Sequence, residues 1–172
     1  RAARDGQRVE GAGEPRLAGD VLRIDVSGKH VYPGLFGAIT DMGLNEVAST
    51  RATVDVRETG DFTPEVRAAV AVNPDSAHFP VARSNGILTV GVTPSGGRVP
   101  GRVSIMTVDG WTWEDMTVLD GAALSVVFPR VRPVTDWWMN RSEDDQMKDI
   151  AEDLEELNTF FDQAQAYIRQ RR

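Results

Sequence analysis

The chain contains no cysteine, which excludes disulfide scaffolds, thiol catalysis and thiolate metal sites. Histidine is almost as scarce: His30 and His78 are the whole supply. Two imidazoles are too few for a metal site of several histidines and leave little for a histidine-based triad. Positive charge is in deficit, with 19 Lys and Arg against 26 Asp and Glu and a net charge of −7. Such a chain repels phosphate backbones, so nucleic acid is excluded as a partner unless a basic patch is gathered locally. No apolar run approaches the roughly 18 residues of a membrane span. The first residues, Arg1-Ala2-Ala3-Arg4-Asp5, carry no initiator Met and no secretory pattern, and read as a start inside a longer polypeptide. Localisation, periplasmic or cytoplasmic, is therefore not written in these residues.

What is present is enough for a real core: 172 residues, 41% of them apolar. Residues 1 to about 18 are rich in Gly, Arg and Glu without period and read as a disordered start. From Val21, apolar Leu22, Ile24 and Val26 alternate with polar Arg23 and Asp25, the pattern of a half-buried strand. Ser27-Gly28 turns the chain, residues 29–32 read as a second short strand, and Pro33-Gly34 closes it. Residues 35–40 and 87–92 are compact apolar runs, which suit strands buried on both faces of a parallel sheet. Between them, Thr63 and Pro64 predict a helix through Val72. Asp75 predicts a cap for a second helix that ends at Asn85-Gly86. A crossover of this length is what a parallel pair requires. Further strands are expected at 103–108 and 122–128, with a short helix at 111–116 and a linker around 129–140. From residue 144, Met147, Ile150, Leu154, Leu157, Phe161, Ala164 and Ile168 recur at helical spacing. Acids at the start and arginines at the end of this segment suit the helix dipole. With fewer than four heptads, a helix covering the sheet is preferred to a coiled-coil partner.

Several of these residues carry a resemblance. Asp25-x-x-Gly28-x-x-Val31-x-Pro33-Gly34 resembles the amidohydrolase superfamily, of the imidazolonepropionase and dihydroorotase type. In that family a strand of a small β-sandwich feeds the first strand of a (β/α)8 barrel. Residues 85–90, Asn-Gly-Ile-Leu-Thr-Val, resemble the family's second barrel strand. Pro94-Ser95-Gly96-Gly97 and the segment from Asp109 to Met116 resemble a bacterial amidohydrolase subgroup. The likeness covers most of residues 20–128. It implies an α/β fold: a remnant of a β-sandwich in 1–32, then the amino-terminal part of a (β/α)8 barrel in 33–172. It implies a hydrolase of carbon–nitrogen bonds other than peptide bonds. Its small-molecule substrate is attacked by water activated on a divalent metal, with zinc the expected ion.

The departure from the family is at the metal. The family's first strand continues Asp-x-His-x-His; here Gly37, Ile39 and Asp41 hold those places. Isoleucine has no lone pair to donate. Asp41 remains as a lone carboxylate, either a metal ligand or a solvated strand-end acid; one carboxylate holds no ion without partners, which favours the second. The alternative function is therefore a metal-free barrel relative that binds or scaffolds. No catalytic residue is assigned.

The loop 93–101 is the best site candidate, because barrel sites lie where strands end. Ser95, Gly96, Gly97 and Arg98 are expected to border substrate, with the glycines letting backbone N–H groups approach an anion and Arg98 or Arg102 adding charge. The loop lacks the Gly-Lys-Ser/Thr of a phosphate-binding Walker loop. Trp111, Trp113, Glu114 and Asp115 line a pocket or, the preferred reading, anchor the core. His30 reads as a surface histidine, His78 as a helix-packing one, and Trp137-Trp138-Met139 as packing or as a surface left bare where later strands would cover it. A partial barrel leaves strand edges bare, so self-association is expected.

Overall fold

The computed structural model describes residues 24–171, and the chain divides into two units after Pro33. In residues 24–33 the Ser27-Gly28 turn forms as expected, closed by Lys29 N–H donating to the Val26 carbonyl at 2.9 Å. The two strands expected around it do not form within the described residues. Alternation of side chains supplies a face, but a strand also needs a neighbour for its ladder, and residues 24–33 run exposed and unpaired. Val21 and Leu22 of the first lie outside the described residues.

The unit from Gly34 onward is mixed α/β. Strands β1 (Leu35–Thr40), β2 (Ile87–Val92), β3 (Gly101–Thr107) and β4 (Thr117–Ser125) lie in one sheet in that order. Helices α1 (Ala68–Ala71) and α2 (His78–Ser84) fall between β1 and β2, α3 (Trp113–Met116) precedes β4, and α4 (Glu143–Gln170) comes last. β1 and β2 are parallel, and the two pairings that follow are antiparallel. The core gathers Val90 and Val92 of β2, Met106 of β3, Ala68 and Ala69 of α1, Phe79 of α2 and Met116 of α3 around Leu44 and Val72.

β1 and β2 form at their expected bounds, but β1 is not buried on both faces. Among the described residues it is an edge strand with β2 as its one neighbour, and Leu35, Phe36 and Ile39 are exposed. β1 and β2 approach closely: a Cβ at Gly91 would lie 2.3 Å from the Ala38 carbonyl oxygen, so only glycine fits there.

The helix expected from Thr63 is cut to Ala68–Ala71 because the chain before it is committed elsewhere. Thr63 N–H donates to the Val99 carbonyl at 2.8 Å, and the Val66 carbonyl accepts from Arg102 N–H at 2.7 Å. Residues 62–67 thus run beside the start of β3 and cannot wind. α2 starts two residues later than an Asp75 cap would give; Ser76 Oγ accepts from His78 N–H instead. It ends at Gly86, whose φ of +84° is the expected left-handed turn. β4 begins five residues earlier than expected, directly after α3, because Thr117 and Leu119 pair with Met106 and Ile105 of β3 across a register slip. α4 is capped by Ser142, whose Oγ accepts from Asp145 N–H at 3.1 Å. It docks through Leu157, which is 5% exposed, and through a Phe62–Phe160 ring stack at 4.9 Å. Among the described residues no helix is long and apolar enough to cross a membrane.

Candidate functional site

β1 and β2 end side by side, with Thr93 N–H donating to the Thr40 carbonyl at 2.8 Å. The chain leaving each strand then builds a cleft beyond their carboxyl ends, where ligands sit in sheets of parallel strands. Leu44 follows β1 and Pro94 follows β2. The connection adds one wall through residues 55–58, because Asp55 N–H donates to the Leu44 carbonyl at 2.7 Å and the Val56 carbonyl accepts from Ser95 N–H at 2.8 Å. Residues 65–71 add the other. The cleft measures about 380 Å³.

Its floor is apolar (Leu44, Ala68) and its rim is charged by Asp55, Arg57, Glu58, Glu65 and Arg67. Arg67 is the most strongly positioned of these. Its Nε donates to Asp120 Oδ2, and its guanidinium lies 5.6 Å from the centre of the Trp113 ring. Asp120 also accepts from the hydroxyl of fully buried Ser104 at 2.9 Å. Burial works against ionisation of Asp120. The hydrogen bond from Ser104, the hydrogen bond and charge of Arg67 and the Gly121 N–H together outweigh it and hold the carboxyl below its ordinary value of 3.8. Among the described residues the terminal nitrogens of Arg67 have no partner, and Arg57 makes no ion pair.

The glycine-rich loop lies beside this cleft. Ser95 is exposed, and its N–H is spent on Val56. Gly96, at φ +85°, seats Arg57: a Cβ there would come within 2.9 Å of the Arg57 Cβ. The N–H groups of Arg98 and Val99 both donate to the Asp61 carbonyl, and the Arg98 guanidinium pairs with Asp153 on α4. The loop therefore props the wall that carries Arg57, while its own N–H groups at 95, 98 and 99 are bonded within the protein. The Arg102 guanidinium donates to the Glu65 carbonyl at 3.1 Å, behind the rim.

Asp41 is exposed and borders a different hollow of about 520 Å³, shared with His78 and Glu46. Its carboxylate accepts from Asn45 Nδ2 at 3.2 Å. Gly37 and Ile39 offer no donor, and among the described residues no three His, Asp or Glu side chains gather as an ion would need. The β1 residues thus do not fit the two-imidazole grip of the resembled family. His30 is exposed beside Tyr32, and His78 is an exposed residue of α2. Trp113 packs against the core, whereas Trp111, Trp137 and Trp138 are exposed.

Sequence reasoning missed the rim residues Asp55, Arg57, Glu58 and Arg67. The region from 44 to 60 has no period because it forms no long element, and its charges acquire meaning only when the connection folds over the strand ends.

The fold was compared with known proteins. The chain is similar to the crystal structure of an amidohydrolase from Thermotoga maritima MSB8, with a TM-score of 0.71 and 22% identity over 94% of this chain. It spans 42% of that chain's length. At this identity the likeness shows a shared fold. No protein-family model matches the chain, and no curated protein does.

Proposed function

We propose that this chain is the amino-terminal part of an amidohydrolase-like (β/α)8 barrel, and that the complete protein hydrolyses non-peptide carbon–nitrogen bonds of a small molecule. The observation that carries the reading is the parallel β1–β2 pair with a ligand-sized cleft at its carboxyl ends, on a fold shared with a solved amidohydrolase. In this reading the cleft receives substrate, and Ser95, Gly96 and Gly97 form its border on the β2 side, while the Arg98 side chain turns away to Asp153. Asp41 is the one metal donor at the end of β1, so zinc or another divalent ion takes its remaining ligands from later strands.

A second reading has its own observation. Gly37 and Ile39 remove the first-strand donors, which suits a metal-free relative that binds a small molecule without turning it over. One experiment separates the two. The whole protein is purified without chelator, its metal content measured, and amine release followed on a panel of lactams, hydantoins and N-acyl amines. Hydrolysis that disappears on chelation supports the first reading. Absence of both bound metal and amine release refutes it and leaves the second.

A further inference from the structure

Away from the cleft, residues 127–141 fold against the first half of α4 and border an open hollow of about 490 Å³. Its composition opposes that of the chain. A protein of net charge −7 here gathers four arginines, Arg98, Arg130, Arg132 and Arg141, with two carboxylates, Asp149 and Asp153. Both carboxylates are spent: Asp153 pairs with Arg98 and Asp149 with Arg141. Arg130 and Arg132 have no acid partner among the described residues. Two uncompensated positive charges therefore remain at one concave place. Like charges held together are unfavourable and invite an anion to neutralise them.

The walls are fastened. Val127 N–H donates to the Arg98 carbonyl at 2.8 Å, and the Gln146 side chain bonds both the N–H and the carbonyl of Val134, at 2.9 and 3.1 Å. The lining between the charges is apolar, with Phe128, Pro129, Met139 and Ile150. The volume lies in the range of small-molecule sites, about 300–1,000 Å³.

We propose that this hollow is a binding site for a small organic oxyanion, with Arg130 and Arg132 holding the charged group and the Phe128–Ile150 surface holding an apolar body. Carboxylate and phosphate share the chemistry, since guanidinium forks match both. The proposal stands apart from hydrolysis and from the cleft beyond β1 and β2.

The test is calorimetric titration of the whole protein with benzoate, phenyl phosphate and inorganic phosphate. Arg130→Gln and Arg132→Gln serve as variants, since neither residue is in an ion pair among the described residues and thermal melts will show that both stay folded. Saturable binding of benzoate or phenyl phosphate is expected. It should weaken about tenfold in each variant and weaken again as NaCl rises. Tighter binding of benzoate assigns a carboxylate ligand, and tighter binding of phenyl phosphate a phosphoryl one. The proposal is overturned if neither aromatic anion saturates or if both variants bind as the wild type does. Inorganic phosphate binding as tightly as phenyl phosphate overturns the apolar half of the site.

Discussion

Replacing Gly91 by alanine tests the joint on which the site depends. The added Cβ would sit 2.3 Å from the Ala38 carbonyl oxygen, about 0.7 Å short of the 3.0 Å that real Cβ contacts respect. The obstacle is backbone, so no side chain can swing aside, and β1 and β2 must part. Forced overpacking of this kind costs about 1–3 kcal/mol. Alanine returns about 0.4–1 kcal/mol by restricting the unfolded chain. The net loss is about 1–2 kcal/mol, which for a chain of this size lowers Tm by about 2–8 °C. Gly37→Ala is the matched control. It lies on the partner strand, and its Cβ would meet Val90 Cγ1 at 3.5 Å, an ordinary contact. It should change Tm little or raise it slightly. Differential scanning calorimetry of the two variants decides the matter. If Gly91→Ala melts within 1 °C of wild type, or Gly37→Ala falls as far, the close parallel pairing of β1 and β2 is wrong.

Asp120→Asn removes a carboxylate held below its ordinary value by Ser104 and Arg67. A group with a lowered folded pKa stabilises above its unfolded value and loses that stabilisation as pH falls. The variant should therefore be less stable than wild type at pH 7, with the gap closing below about pH 4, as followed by denaturant melts across pH. Leu157→Ala should cost about 2–5 kcal/mol if Leu157 docks α4, and amide exchange should rise along α4 first; uniform exchange across the chain would refute that docking. Ile39 is 82% exposed, so Ile39→His should leave stability within about 0.5 kcal/mol in thermal melts. If later strands supply the other ligands, the same variant raises the zinc content of the whole protein. Exposed Leu35, Phe36 and Ile39 on the β1 edge should drive self-association of the 172-residue chain, and a monodisperse monomer in light scattering would count against it.

β1, β2 and the last helix are legible in sequence because their signals are local. Continuous apolar runs bounded by Gly34 and Gly86 give β1 and β2 at their observed limits, and the spacing from Met147 to Ile168 gives α4. What failed depended on distant partners. Thr63 has the right neighbours for a helix cap, yet it bonds Val99, 36 residues away. β1 has the composition of a doubly buried strand, yet its burial depends on what lies beyond the sheet edge. The glycines of the loop suit backbone N–H groups opening to a ligand, a reading the fold leaves standing. They also seat Arg57 and accommodate Asp61, contacts that no local pattern encodes.

The same separation of local and distant constraints bears on Ile39 and Asp41, which stand where the resembled family carries metal ligands. The β1–β2 joint is made by the Ala38 backbone, by Gly91 and by the buried Val90 and Val92. Ile39, at a metal-ligand position of the resembled family, adds almost no buried surface. Asp41 is exposed beyond the end of β1. Packing therefore places little demand on the identity of either residue, and the β1–β2 pairing tolerates other side chains there. Arg67 is constrained in the opposite way. Its Asp120 and Trp113 partners, with Ser104 buried behind them, tie a rim charge of the cleft to the core. A change there must be felt in both stability and ligand binding, whereas a change at Ile39 is free to alter chemistry alone. The fold can thus hold a charged cleft at the ends of its parallel strands whatever residue stands at position 39.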